Sequence, residues 1–170
     1  MIKDPAVLDD PRLTAMGLLA ETYAGMQVKF MPALTAAGLT ATEFDVLLRL
    51  ARSPGRRLRM TDLATQAALS TSGVTRVVDR LENRGLAGRE SCPSDRRGAF
   101  AVVTDPGQEL VGDLVQTHVR DIDRWFTGLL TPAQLDALLE ALRIVRDEVR
   151  PGATAGVAHP VALEKNDSVR

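Results

Sequence analysis

A chain of 170 residues has room for one domain with a modest extension and none for a large catalytic scaffold, while 45% apolar and 25% charged residues suffice to bury a core. No run approaches the roughly 18 uncharged apolar residues of a membrane span, and the acidic opening through Asp9 and Asp10 is unlike a signal peptide, so a cytoplasmic protein is expected. One cysteine, Cys92, and two histidines, His118 and His159, exclude an intramolecular disulfide framework and zinc sites built from cysteine pairs.

The near balance of 21 basic and 22 acidic residues conceals an asymmetry. Residues 49–97 hold eleven Arg against five acids, whereas the remainder holds ten basic residues against seventeen acidic ones. A basic middle between acidic ends suggests that one region meets a polyanion. Every basic residue in that middle is Arg, which suits phosphates and base edges; a GC-rich genome would produce the same bias.

In chain order, residues 1–11 form a leader. Met16, Leu19, Tyr23, Met26 and Phe30 then recur at spacings of three and four, the seam of a helix packing on other helices, which Pro32 should end or kink. Thr40 and Glu43 form a capping box for a helix with Phe44, Leu47, Leu48 and Ala51 inward, stopped by Pro54-Gly55. Residues 56–60 are a connector or a short strand. Thr61 is expected to cap the next helix, with Leu63, Ala64 and Ala67 inward. After a tight turn, Ser70 or Thr71 caps another, which carries Val74, Val77, Val78 and Leu81 on one face and ends at Gly85.

Two short helices joined by a tight turn, the second basic and hydroxyl-capped, have the helix-turn-helix signature. Residues 86–92 and 99–103 read as strands joined by the polar connector 93–98, a hairpin with a basic tip, and helix-turn-helix plus hairpin is a winged helix. A long helix starts at Thr104 or Asp105 and runs through Leu110, Leu114, His118, Ile122, Trp125 or Phe126, and Leu129. Thr131 and Gln134 form a second capping box, opening a last helix with Leu135, Leu138, Leu139, Leu142, Val145 and Val149 inward, ended by Pro151-Gly152. Residues 150–170 lack helical or strand period and are expected to be a mobile tail. The fold class expected is mainly α with a small β-hairpin wing.

The segments Thr61-Asp-Leu-Ala64, Ser70-Thr-Ser-Gly-Val-Thr-Arg-Val-Val-Asp-Arg-Leu-Glu-Asn-Arg-Gly-Leu86, Ser94-Asp-Arg-Arg-Gly98 and Thr104-Asp-Pro-Gly107 resemble those of the multiple antibiotic resistance regulator (MarR) family of bacterial transcription factors. The resemblance spans residues 12–149. It implies a homodimer in which helices near 12–37 and 105–149 intertwine above two winged helix-turn-helix lobes, residues 40–104. It also implies a palindromic double-stranded DNA operator, a repressor released by a small molecule bound between dimer helices and lobe, and association with the nucleoid when bound. Apolar seams on the first and last two helices are what such a dimer requires.

Ser70, Thr71, Ser72 and Gly73 sit at a helix N-terminus, where unpaired N–H groups and the dipole favour a phosphate; the same residues also serve as an ordinary cap, and Gly73 lets a backbone come close. Thr75, Arg76 and Arg80 project opposite the valine stripe towards a major groove, with Arg76 expected to read a base and an i,i+3 pairing with Asp79 as its alternative. Arg96 and Arg97 at the hairpin tip suit a narrow minor groove, and the resemblance assigns Arg97 to insertion and Asp95 to orienting it. Tyr23, Phe30, His118 and Trp125 are candidates to line a site for a small aromatic, phenolic or anionic effector, or else belong to the dimer core.

Cys92 is expected to act as a small strand hydrophobe rather than a redox sensor, and His118 as a satisfied interface residue rather than a metal ligand. No phosphate-binding loop, nucleophile elbow or zinc-protease motif is present in the sequence, so neither an enzyme nor a resident metal or cofactor is expected. The rival to a DNA-binding regulator is a winged helix that binds protein.

Overall fold

The computed structural model describes residues 8–92 and 95–155, with the backbone alone for Cys92, Asp95, Arg96 and Arg97. Among the described residues six α-helices and three strands follow one another: α1 (Pro11–Ala36), α2 (Ala41–Arg52), β1 (Arg57–Arg59), α3 (Met60–Ala67), α4 (Thr71–Asn83), β2 (Ala87–Cys92), β3 (Asp95–Val103), α5 (Asp105–Trp125) and α6 (Pro132–Val149). The strands form one antiparallel sheet in the order β1-β3-β2. The architecture is mainly helical with a small winged sheet, as the sequence pattern implies.

The core lies in the winged lobe. Phe44, Val46, Leu47 and Leu50 of α2, Leu63 of α3, and the Val74/Val77/Val78/Leu81 stripe of α4 are buried against Ala101 and Val103 of β3 and Val111 and Leu114 of α5. Helical period on α4 therefore marks the core-facing stripe correctly, whereas on α2 Phe44 and Leu47 are buried as expected but Leu48 and Ala51 only partly, and Val46 and Leu50 take core places that the sequence reading did not give them. Both capping boxes form, Thr40 with Glu43 and Thr131 with Gln134, and Ser70 caps α4 by accepting from the Gly73 N–H at 3.0 Å.

Three helices close with the same turn. In α1, α3 and α4 a residue just past the end takes a left-handed conformation, and the next N–H reaches back to the carbonyl five residues earlier. Gly38 (φ 67°) and Gly85 (φ 69°) fill that place after α1 and α4, but after α3 it is held by Ala68 (φ 54°), whose Cβ makes the conformation costly.

Several boundaries depart from the sequence pattern. α1 passes through Pro32 and ends at Ala36. Its last turn is anchored by buried Leu34 and by Arg84, whose Nη1 and Nη2 donate to the Gly38 and Ala37 carbonyls at 2.7 and 3.1 Å. Thr61 is not a cap: α3 starts one residue earlier, with Arg59 in the cap place and no side-chain cap bond. Pairing of Arg59 with Phe100 holds the chain extended up to the helix.

α5 stops at Trp125, and Leu129 falls in a separate 3-10 turn, Thr127–Leu129. That turn folds back so closely that a Cβ on Gly128 would lie 2.6 Å from the Asp123 carbonyl oxygen. β3 begins at Asp95 rather than 99, with Cys92 opposite Asp95 and an irregularity between Ser91 and Cys92. Finally, α6 has no buried residue: Leu142, Val145 and Val149, read as inward, are exposed in the single chain.

Candidate nucleic-acid interface and ligand cavity

α4 presents its polar face outward because its valine stripe is consumed by the core. Thr71, Ser72, Thr75, Arg76, Asp79 and Arg80 are all exposed. The hydroxyls are partly committed: Ser70 Oγ lies 3.2 Å from Ser72 Oγ, and Thr75 Oγ1 donates to the Thr71 carbonyl at 2.8 Å. Gly73 has a local reason to be glycine, since a Cβ there would stand 3.1 Å from Ser70 Oγ and 3.6 Å from Leu69 Cβ. A side chain at that place would crowd the very atom that caps the helix.

Charge on this face is sorted by a residue that the sequence pattern did not single out. Arg89 of β2 donates through Nη2 to Asp79 Oδ1 at 2.6 Å and to the Thr75 carbonyl at 3.3 Å, and through Nη1 to Glu82 Oε2. It thereby occupies both carboxylates of the outer face. Arg76, one turn away, has no hydrogen bond or ion pair to any described residue, so its alternative pairing with Asp79 does not occur. Arg80 is different: its Nε donates to Glu43 Oε1 at 2.7 Å, tying the last turn of α4 to the start of α2.

Much of the basic middle is likewise paired. Arg49 meets Asp45, Arg56 meets Asp105 and Arg57 meets Glu90. The wing root is fixed to α5: Thr104 Oγ1 donates to the Gly85 carbonyl at 2.6 Å and accepts from the Gly107 N–H at 3.2 Å. A Cβ on Gly107 would lie 2.0 Å from the Leu86 carbonyl oxygen, so only glycine permits this approach. The side chains of Asp95, Arg96, Arg97 and Cys92, and the roles expected of them, lie outside the described residues.

A cavity of about 510 Å³ opens between α1, α5 and the winged lobe, within the range of small-molecule sites. Tyr23, Phe30 and His118 line it, bringing together three of the four residues expected to do so. The His118 ring stands edge-on to Phe30 and Phe44, with centroids 4.9 and 5.2 Å away. Burial among these rings lowers its pKa, opposed by the charge of Asp121, so the imidazole is neutral at neutral pH. Trp125 is not part of the wall. It lies between Lys29 Nζ at 4.5 Å and Arg124 Cζ at 4.7 Å from its ring, where cation–π attraction accounts for its position.

Two further lining residues, Arg49 and Arg150, had no sequence signal, since what brings them together is tertiary contact. The opposite wall is Ala67, Ala68 and Leu69, the turn between α3 and α4. Whatever fills the cavity therefore touches the segment from which α4 departs. Among the described residues no group of His, Cys, Asp and Glu is arranged to hold a metal ion, and no helix is long and apolar enough to cross a membrane.

This arrangement, a winged helix-turn-helix with an exposed arginine-bearing helix beneath long flanking helices, matches known proteins closely. The MarR family model matches residues 37–98. The structure of AbsC, a MarR family transcriptional regulator from Streptomyces coelicolor, is 35% identical, with a TM-score of 0.79 over 84% of this chain and 96% of that one. Sco3205, a MarR family regulator from the same organism solved in complex with DNA, is 36% identical, with a TM-score of 0.76 over 82% and 88%. BpsR of Bordetella bronchiseptica, whose DNA binding is regulated by 6-hydroxynicotinic acid, is 28% identical, with a TM-score of 0.69 over 77% and 91%. The chain belongs to the MarR family of DNA-binding transcriptional regulators, and it is not an enzyme.

Proposed function

We propose that this regulator is a homodimeric repressor of a palindromic double-stranded DNA operator, released by a small aromatic acid or phenol. The observation that carries the reading is the sorting of charge on α4: Arg89 holds Asp79 and Glu82, leaving Arg76 on an exposed face with no partner among the described residues. In this reading Arg76 reads a base edge, Ser70, Thr71, Ser72, Gly73 and Thr75 meet the phosphate backbone, and Arg80 supports the helix from its bond to Glu43. Arg97, oriented by Asp95 and flanked by Arg96, enters a minor groove.

Dimerisation is supported by apolar side chains that one chain leaves bare. Met16, Leu18 and Leu19 of α1 are 63%, 62% and 52% exposed, and Ile144 and Val149 of α6 are 67% and 73% exposed, at the two ends expected to intertwine (12–37 and 105–149). So many large apolar side chains left bare on two helices point to an interface. Two copies would set their α4 helices about 34 Å apart, one helical turn of DNA. A ligand between α1, α5 and the α3–α4 turn releases DNA only by binding a different lobe spacing more tightly. The regulation of BpsR by 6-hydroxynicotinic acid supports the ligand class.

The test is fluorescence anisotropy with intergenic DNA beside the gene, combined with light scattering. Expected are twice the chain mass at micromolar concentration and strong preference for an inverted repeat over random DNA. A monomer, or equal affinity for both DNAs, would refute the reading.

A further inference from the structure

The last described residues pack back onto the winged lobe. Arg150 closes α6, its N–H bonding the Arg146 carbonyl at 2.7 Å, and the chain then turns, with Ala153 N–H on the Arg150 carbonyl at 3.0 Å. Its Nη2 donates to the Gln66 carbonyl at 2.7 Å and reaches the Thr65 carbonyl at 3.5 Å, both at the C-terminal end of α3. Gly152 lies so near Thr65 that a Cβ on it would be 2.6 Å from Thr65 Cγ2. Thr154 Oγ1 accepts from Arg49 Nη1 at 3.3 Å, and the Ala155 carbonyl accepts from Arg146. Residues 150–155 thus strap α6 to α2 and α3, the first half of the helix-turn-helix.

The same Arg150 lines the 510 Å³ cavity, and the charges there do not balance. Arg49 is neutralised by Asp45, Nε to Oδ2 at 2.8 Å, and His118 is neutral. Among the described residues the Arg150 guanidinium meets only peptide carbonyls, through Nη2, and these do not cancel its charge. A carboxylate offers a guanidinium shorter, charge-assisted and bidentate bonds, so the two acceptors compete for one side chain.

We propose that Arg150 is the anion-recognising residue of the cavity, which takes planar aromatic carboxylates, and that binding one draws its guanidinium off the Thr65 and Gln66 carbonyls and loosens the strap between α6 and the helix-turn-helix. This rests on the ligand reading above and adds the residue that selects the charge and the connection that it breaks. The ring lies among Phe30, Phe44 and His118, and the carboxylate turns towards the α3 end of the cavity.

The experiment titrates the full chain by calorimetry with benzoate and 1-naphthoate, each against its neutral amide, and follows hydrogen exchange of residues 146–155. Wild type is expected to bind at least one acid about tenfold or more tightly than its amide, a difference of about 1.4 kcal/mol, and the acid alone should speed exchange in the strap. Arg150→Gln should bring acid and amide within about twofold, keep the amide affinity, and exchange quickly without ligand. Arg150→Lys, which keeps the charge but not the fork, should retain part of the preference.

An acid preference that survives in Arg150→Gln, or exchange that the acid leaves unchanged, overturns the inference and leaves the cavity as the ligand site. Equal binding of acid and amide by wild type does the same. If neither acids nor amides bind at millimolar concentration, the cavity reading falls, and this inference with it.

Discussion

Arg80 and Glu43 stand 37 residues apart in sequence and 2.7 Å apart in space, and through them the DNA-facing helix is tied to the cap of another. Glu43 is buried, and its second oxygen accepts from the Thr40 N–H at 2.9 Å and the Thr40 hydroxyl at 3.0 Å. Burial alone would raise its pKa; the Thr40 N–H and Arg80 outweigh that and hold the carboxyl below its ordinary value near 4.5. Because the folded pKa is depressed, this carboxylate stabilises the fold above the unfolded pKa, and the contribution is lost as pH falls through the folded one. Glu43→Gln is therefore expected to cost about 1–2 kcal/mol at pH 7, and urea unfolding of mutant and wild type should converge as pH falls through the depressed pKa of this carboxyl. A gap that persists at low pH would mean that packing, not charge, is responsible.

Arg89 is expected to matter for DNA binding without touching DNA. Its removal frees Asp79 to capture Arg76 at i,i+3, so Arg89→Ala should weaken operator binding, and adding Asp79→Asn should restore much of the loss. Arg76→Ala itself should cost about 1–3 kcal/mol against the operator with relaxed discrimination at one base pair per half-site. If Arg76→Ala weakens operator and random DNA equally, it contacts phosphate alone. If Asp79→Asn rescues nothing, Arg89 does not act through that carboxylate.

Gly107→Ala tests the joint between wing and long helix. An alanine inside a helix ordinarily stabilises by up to about 1 kcal/mol over glycine, but here the new Cβ would meet the Leu86 carbonyl oxygen at 2.0 Å. A loss of about 3 kcal/mol is expected in thermal or urea unfolding. A neutral or stabilising effect would show that the joint is loose.

Ala68→Gly should have the opposite sign. Relief of the left-handed strain is worth about 0.5–1 kcal/mol after the entropy of glycine is subtracted, whereas Ala67→Gly, within α3, should destabilise by a similar amount. Equal destabilisation by both would remove strain from the account of this turn.

Local features were legible because their partners lie within one turn. Thr40 with Glu43, Thr131 with Gln134, the Val74/Val77/Val78/Leu81 stripe and Gly85 all declare themselves at spacings that periodicity and capping rules can see. Features made by distant partners were not. Nothing local says that Arg89 will cover Asp79 and Glu82, that Arg150 will reach Gln66 across 84 residues, or that Trp125 will sit between two cations rather than in the cavity. The early start of β3 at Asp95 was hidden for another reason: Asp95-Arg-Arg-Gly98 carries no apolar alternation from which a strand could be read. On α6 the apolar period was read correctly as a pattern, but a single chain gives it nothing to pack on. Pro32 misled because a proline rule speaks of the hydrogen bond lost, not of Leu34 and Arg84, which hold the turn beyond it.

The close seat of Gly107 on Leu86 makes α5 a lever. One end is welded to the root of the wing through Thr104 and Gly107, while His118, eleven residues along, forms part of the cavity wall; at about 1.5 Å per residue the arm is about 16 Å long. A tilt of about 5° pivoting at His118 would carry the wing root through about 1.4 Å, half the length of a hydrogen bond. An adjustment too small to disturb the rings around His118 is large enough, at the far end, to take a side chain out of bonding distance of a groove.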